Sequence, residues 1–240
     1  KNTAPSIKVD GLDLTDKPVT IFHGKMFSPK NLTPLKELGG EVVEVNFQTG
    51  ETDFSGTMAS LAAQGIGAIF APTSIETAPF IIKQAREAGI DGCILASDTW
   101  DDVSIIQRVV EAGASIDGVY FSTFFIEGDD TNPAANAFAE GFKAWLKEDS
   151  ARLTDNSNSE EISAVTACGY DAYMAIYYAL EKAQSTDGAT LRDALAALDV
   201  PGLVTGDLKF DENGDAVKSY AIIKTATTDG FVFADSVTIE

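Results

Sequence analysis

Between residues 67 and 101 short apolar runs alternate with an amphipathic stretch, a pattern that predicts strand, loop, helix, strand, loop. Residues 68 to 71 (AIFA) make the first strand, ended by Pro72, and CILA at 93 to 96 makes the second. Between them Ala78, Ile81, Ile82, Ala85 and Ala88 recur at helical spacing beside Lys83, Gln84, Arg86 and Glu87, until Gly89 stops the pattern. Thr73, Ser74 and Glu76 stand where such a helix is capped, so the helix is expected to begin there. Two strands joined by one helix cross over right-handed and pair in parallel. Both loops then lie at the carboxyl edge of one sheet, where open α/β sheets bind ligands.

The same reading covers the rest of the chain. Residues 1 to 16 alternate only weakly and read as a lead-in, KPVTIFH at 17 to 23 and EVVEVNF at 41 to 47 as strands, and Phe54 to Gln64 as a helix. Pro29 and Pro34 confine any helix between those strands to about Leu35 to Leu38. After Trp100 a helix is expected over 102 to 112 and a strand over 118 to 123. The alternation then stops. Helices are expected over Pro133 to Lys147, with Phe138, Phe142, Trp145 and Leu146 on one face, then over Ala164 to Ala183 and Thr190 to Ala197. They have no sheet of their own within 124 to 200 and need a partner layer. GDLKF at 206 to 210 and AVKSYAIIKT at 216 to 225 are expected to pair as a hairpin across Asn213 and Gly214. The fold class is α/β.

Composition narrows the partners. Apolar residues make up 45% and charged residues 22%, ordinary globular usage, while 17 basic against 37 acidic residues leave a formal charge of −20. That balance disfavours nucleic acid and anionic membrane surfaces. No window approaches the ~20 apolar residues of a membrane span, and KNTAPSIKVD lacks the apolar core of a signal, so the chain is cytosolic or its export signal has been removed. Cys93 and Cys168 form no metal-ligand pair and are expected to be buried free thiols.

Little catalytic chemistry is visible. His23 is the single histidine and reads as structural, which leaves no His-rich metal site and no nucleophile and base pair, so neither catalysis nor a cofactor is expected. GIG at 65 to 67 lacks the third glycine of a dinucleotide fingerprint and reads as a loop before a strand. DENGD at 211 to 215 is followed by Ala216 and Ile222 where a calcium loop needs glycine and glutamate, so it reads as a turn. Asp98 has two readings. It caps the next helix, or, beside Trp100 and across from Thr73 and Ser74, it receives the ammonium group of a small ligand.

Four separated motifs carry a resemblance: AIFAPTSIETAPFIIKQAREAGIDGCILASDTWD, GVYFSTFF with NPAANAFAEGFKAWL, GYDAYMAIYYALEKAQSTDGATLRDALAAL, and VTGDLKFDENGDAVKSYAIIK. Together they resemble, over about residues 17 to 226, the branched-chain amino-acid type of periplasmic solute-binding protein that serves ABC importers. The resemblance implies a type I periplasmic-binding-protein fold, with two α/β lobes joined by crossing strands and a small amino acid enclosed between them. It makes Asp98 the acceptor for the ligand ammonium, puts Ser74 where the family often has a tyrosine, sets Phe27 near another pocket aromatic, and places Val165 on the apolar side near the hinge.

Family members begin with a sheet-bearing segment of roughly a hundred residues for which this chain shows no counterpart. The expectation is therefore a parallel-sheet, three-layer ligand-binding lobe over 17–125 and 203–240, with 126–202 as the helical part of an incomplete second lobe. Such a chain is a fragment, an engineered form or a reduced natural relative. The implied partners are an amino acid and the membrane subunits of an ABC importer, and the implied location is the periplasm or the outer face of a bacterial membrane, with a lipid anchor as one variant. The alternative is a ligand-sensing or scaffold module whose helical face, residues 133–200, is covered by a second chain.

Overall fold

The computed structural model describes residues 8–9, 12–13, 19–23 and 41–238. Phe27, the side chain of His23 and the short helix expected over Leu35 to Leu38 lie outside the described residues. In chain order the first elements are β1 (Lys8–Val9), β2 (Leu12–Asp13), β3 (Val19–His23), β4 (Val42–Asn46), α1 (Ser55–Ala63), β5 (Ala68–Phe70) and α2 (Ala78–Glu87). There follow β6 (Cys93–Ala96), a 3-10 turn (Asp98–Trp100), α3 (Val103–Glu111), β7 (Val119–Thr123), α4 (Pro133–Lys147) and α5 (Ser150–Asp155). The last are α6 (Ala164–Ala183), α7 (Gly188–Ala196), β8 (Asp199–Leu203), β9 (Gly206–Lys209), β10 (Tyr220–Thr227) and β11 (Gly230–Thr238).

One seven-stranded sheet runs in the order β11-β10-β7-β6-β5-β3-β4. Its pairs from β4 to β7 are all parallel, as the βαβ reading requires. β10 and β11 are joined by a two-residue link, Thr228 and Asp229. The chain folds into two compact units. The first takes the described residues up to Phe121 together with Thr225–Val232; the second takes Ser122–Lys224 and the residues from Phe233 on.

The core of the first unit gathers Phe54, Ile69, Ile82, Ile94, Ile106 and Phe121. Ala68, Ile69 and Ile94 are fully buried, which fits central parallel strands covered on both faces. Helix α2 begins at Ala78 rather than at Thr73. Residues 75–77 instead form a turn in which Thr77 N–H and Ala78 N–H donate to Ser74 O at 3.1 and 3.2 Å. Pro79 is the reason: lacking an N–H, it is tolerated in a first turn and not further in. Cys93 is buried as expected, whereas Cys168 is exposed on α6.

The second unit has two apolar clusters, one around Phe125, Ala135, Ala139 and Ala167, the other around Ala175, Ala179, Leu198 and Leu208. The polar stretch after α4 is not wholly loop, since Asp149 accepts from Ala151 N–H and caps the short helix α5. The hairpin expected across Asn213 and Gly214 forms as a short one, with Asp211 N–H donating to Asp215 O across the turn, and β9 has a second partner. β9 pairs antiparallel with β8, and strand 216 to 225 meets β9 through the bridge Phe210–Ala216 and the bond from Val217 N–H to Lys209 O. Asp171 of α6 holds the turn between β8 and β9, its buried carboxylate accepting from Val204 N–H at 3.0 Å, Thr205 N–H at 2.7 Å and the Thr205 hydroxyl at 2.7 Å. The β8–β9 turn is thereby fixed to the helix. Residues 203–224, expected in the sheet-bearing lobe, accordingly pack in the second unit.

Candidate functional site

From β3 the chain passes to β4 on one side and then returns to β5 on the other, so strand order reverses between β3 and β5. In open α/β sheets the crevice at such a reversal, outside the carboxyl ends of the strands, is the ligand position. The loop leaving β5 carries Thr73 and Ser74, and the loop leaving β6 carries Ser97, Asp98 and Thr99. The structure brings these two loops together. Thr99 Oγ1 donates to Thr73 O at 2.8 Å, and the Trp100 indole Nε1–H donates to the same oxygen at 3.1 Å. Trp100 itself is only 1% exposed and sits in the core of the first unit, so its indole fastens one loop to the other.

The polar groups at this edge differ in how far they are engaged. Ser74 is exposed, and its hydroxyl lies 3.3 Å from Thr77 Oγ1. That hydroxyl also holds the Glu76 carboxyl below its ordinary value. Ser97 Oγ and Thr99 Oγ1 are 3.2 Å apart. Thr73 Oγ1 is buried and has no hydrogen-bond partner among the described residues. An orphaned buried hydroxyl is costly, and a ligand group would satisfy it.

Asp98 is half-buried at the start of the 3-10 turn. Of its two readings from sequence, the capping one is taken by another residue: Asp102 is the N-cap of α3, its carboxylate accepting from Ser104 N–H at 2.8 Å. Among the described residues none donates a hydrogen bond or a cation to the Asp98 carboxylate. The loops 71–77 and 97–102 contain no Lys or Arg at all. Among the described residues these two loops therefore offer hydrogen-bond acceptors and no cation.

The remaining expected residues stand elsewhere. Val165 lies in the first turn of α6, in the second unit, and is 64% exposed. Phe27 is outside the described residues. Sequence reasoning missed the part played by the Thr73 carbonyl, which no residue type announces. It also missed Asp171, although a lone acid in the apolar run of α6 was a signal. Among the described residues no group of three or more His, Cys, Asp or Glu could hold a metal ion, and no helix is long and apolar enough to cross a membrane.

A family model described as periplasmic binding protein matches residues 33–230. Among solved structures, the leucine binding protein LivK of Thermotoga maritima superposes with a TM-score of 0.78 at 27% identity, over 92% of this chain and 61% of its own. The branched-chain amino acid transporter substrate binding protein LivJ of Streptococcus pneumoniae, solved in complex with isoleucine, gives 0.75 at 24% identity, over 94% and 61%. A fatty acid ABC transporter substrate-binding protein of Thermomonospora curvata gives 0.75 at 17% identity, over 93% and 58%. Comparison with curated proteins returns no match. The chain thus spans about three fifths of the length of these solved relatives.

Two α/β units linked by strands that pass between them, with a mostly parallel sheet and its loops at a topological reversal, define a type I periplasmic-binding-protein fold. The chain belongs to the periplasmic binding protein family, whose members bind solutes and are not enzymes.

Proposed function

We propose that this chain is the ligand-contacting part of an extracytoplasmic solute-binding protein, that it delivers a small amino acid to an ABC importer, and that Asp98 receives the ligand ammonium. The observation that carries the reading is the state of Asp98: a half-buried carboxylate at the carboxyl edge of the sheet, beside the reversal, with Asp102 doing the capping. Thr73 and Ser74 supply hydroxyls across from it, and Trp100 positions the two loops through the Thr73 carbonyl. The absence of Lys and Arg from both loops favours a ligand that presents a cation there over one recognised by its carboxylate alone. The similarity to LivK and to LivJ favours leucine, isoleucine or valine within that class. Membership of the periplasmic binding protein family favours the periplasmic or outer face of a bacterial membrane for this chain.

Isothermal calorimetry against leucine, isoleucine and valine, with a medium-chain fatty acid as the control, tests this. Binding of an amino acid is expected. Asp98→Asn is expected to weaken it by about 10- to 100-fold, the worth of a hydrogen bond to a charged group. An amino-acid dissociation constant unmoved in that variant, or binding of the fatty acid only, overturns the reading.

A further inference from the structure

The described loops at the carboxyl edge of the first unit, 47–53, 71–77 and 97–102, turn their large apolar side chains into the core. Phe47 packs there edge-on to Phe54, with ring centroids 5.5 Å apart, Ile75 packs against the same cluster, and Trp100 is buried within it. The exposed positions of the two ligand loops, Ser74, Glu76 and Thr99, are all polar, with Ser97 and Asp98 half-buried. The hydroxyls at this edge have capacity to spare. Ser74 Oγ and Thr77 Oγ1 meet at a long 3.3 Å, Ser97 Oγ and Thr99 Oγ1 at 3.2 Å, and Thr73 Oγ1 has no hydrogen-bond partner among the described residues. A hydroxyl can give one hydrogen bond and take two. Thr73 cannot swing away to find a partner, because its carbonyl is held by both the Thr99 hydroxyl and the Trp100 indole. A hydrocarbon group pressed against such an edge strips water from it and returns no hydrogen bond.

We propose that the ligand is an amino acid whose side chain carries a hydroxyl on a branched β carbon, as in threonine, and that the hydroxyls of Thr73 and Ser74 select it over the hydrocarbon isostere, valine. In such a ligand the hydroxyl and the ammonium stand on adjacent carbons, so an ammonium on Asp98 carries the hydroxyl to the same edge. Hydroxyl meets hydroxyl there as donor or acceptor in either sense. The preference comes from the penalty on the competitor. Valine has the same shape but leaves the Thr73 and Ser74 hydroxyls without a partner, and a site that hydrogen-bonds its ligand discriminates against such an analogue more strongly than an apolar pocket discriminates by size. This inference rests on Asp98 as the acceptor of the ligand ammonium, proposed above, and narrows the branched side chain to a hydroxylated one.

Isothermal calorimetry of the 240-residue chain with threonine and with valine tests it. Threonine is expected to bind at least about tenfold more tightly. In the double variant Thr73→Val with Ser74→Ala that preference is expected to shrink to within about twofold. The variant keeps the fold, since the bonds that hold this loop end on the backbone oxygens of Thr73 and Ser74 and not on their hydroxyls; circular dichroism checks it. A wild-type chain that binds valine as tightly as threonine, or more tightly, overturns the inference and leaves the role of Asp98 standing. A preference for threonine that survives undiminished in the folded double variant overturns the assignment to these two hydroxyls. A chain that binds neither amino acid, or an Asp98→Asn variant that binds both as before, overturns the ammonium reading and this inference with it.

Discussion

Single residues decide how the loops of the first unit stand. Asp98 stands out in the sequence as a candidate because periodicity puts a carboxylate after a strand, beside hydroxyls on the neighbouring loop. What sequence could not separate was capping from binding, since both need the same acid, and only the bond from Ser104 N–H to Asp102 settles which aspartate caps α3. Trp100 shows the opposite case, an indole expected at the edge whose N–H turns inward to a backbone oxygen. Gly92 carried no signal of its own. A Cβ there would lie 2.8 Å from the Gly67 carbonyl carbon and closer still to its oxygen, so the segments entering β5 and β6 can touch only if this residue is glycine. Arg86 then donates to Gly92 O at 2.9 Å and to Ile90 O at 2.6 Å, holding the approach. Gly92→Ala is expected to destabilise the chain by about 3 kcal/mol, since the clash is with backbone that cannot rotate away. Chemical denaturation reads this, and a change under about 0.5 kcal/mol contradicts it.

At the scale of elements, helices and strands with strong periodicity were legible almost to the residue: α4 and α6 begin and end where the apolar pattern and their caps place them. Pairing was legible only in part. The Asn-Gly pair marked a turn that the bridge Phe210–Ala216 closes, whereas the pairing of β9 with β8 goes with a turn held by Asp171, more than thirty residues earlier in the chain. β11 escaped notice for a different reason: its residues are mostly exposed and give no periodicity. Asn132 holds two elements at once. Its side-chain oxygen accepts from Ala135 N–H to cap α4, and its Nδ2 donates to Leu203 O and Val204 O at 3.3 and 3.1 Å. Asn132→Ala is expected to cost about 2 kcal/mol, the cap plus one net hydrogen bond. Asn132→Asp keeps the cap, loses the donors and brings a charge to two carbonyls, so thermal melts should rank it below the wild type as well. A wild-type melting temperature in the aspartate variant would show that the cap alone matters.

For the whole molecule, charge and hydrogen-bonded carboxylates act in opposite directions with pH. Between pH 7 and the isoelectric point near 4.2, loss of net negative charge relieves self-repulsion and favours the fold. Asp53, Asp187 and Asp211, by contrast, are held below their ordinary value of 3.8 by hydrogen bonds: first the Ser55 hydroxyl, the Thr190 N–H and the Asp215 N–H respectively. Their stabilisation is complete above that ordinary value and disappears as the pH falls through the folded values. Calorimetric melts from pH 8 to pH 3 should therefore show a plateau or shallow rise followed by a drop below about pH 4. A melting temperature that keeps rising to pH 3 would mean that repulsion alone governs acid stability. The chain passes between its two units three times, and Phe231, from the last passage, packs edge-on to Phe121 with ring centroids 4.8 Å apart. Phe121 thus waits for a residue made about 110 positions later, on the order of ten seconds at ordinary translation rates. During vectorial synthesis the second unit's helices emerge while the first unit is still unfinished, and the second unit in turn waits for the residues from Phe233 on, so the two are made interleaved rather than one after the other.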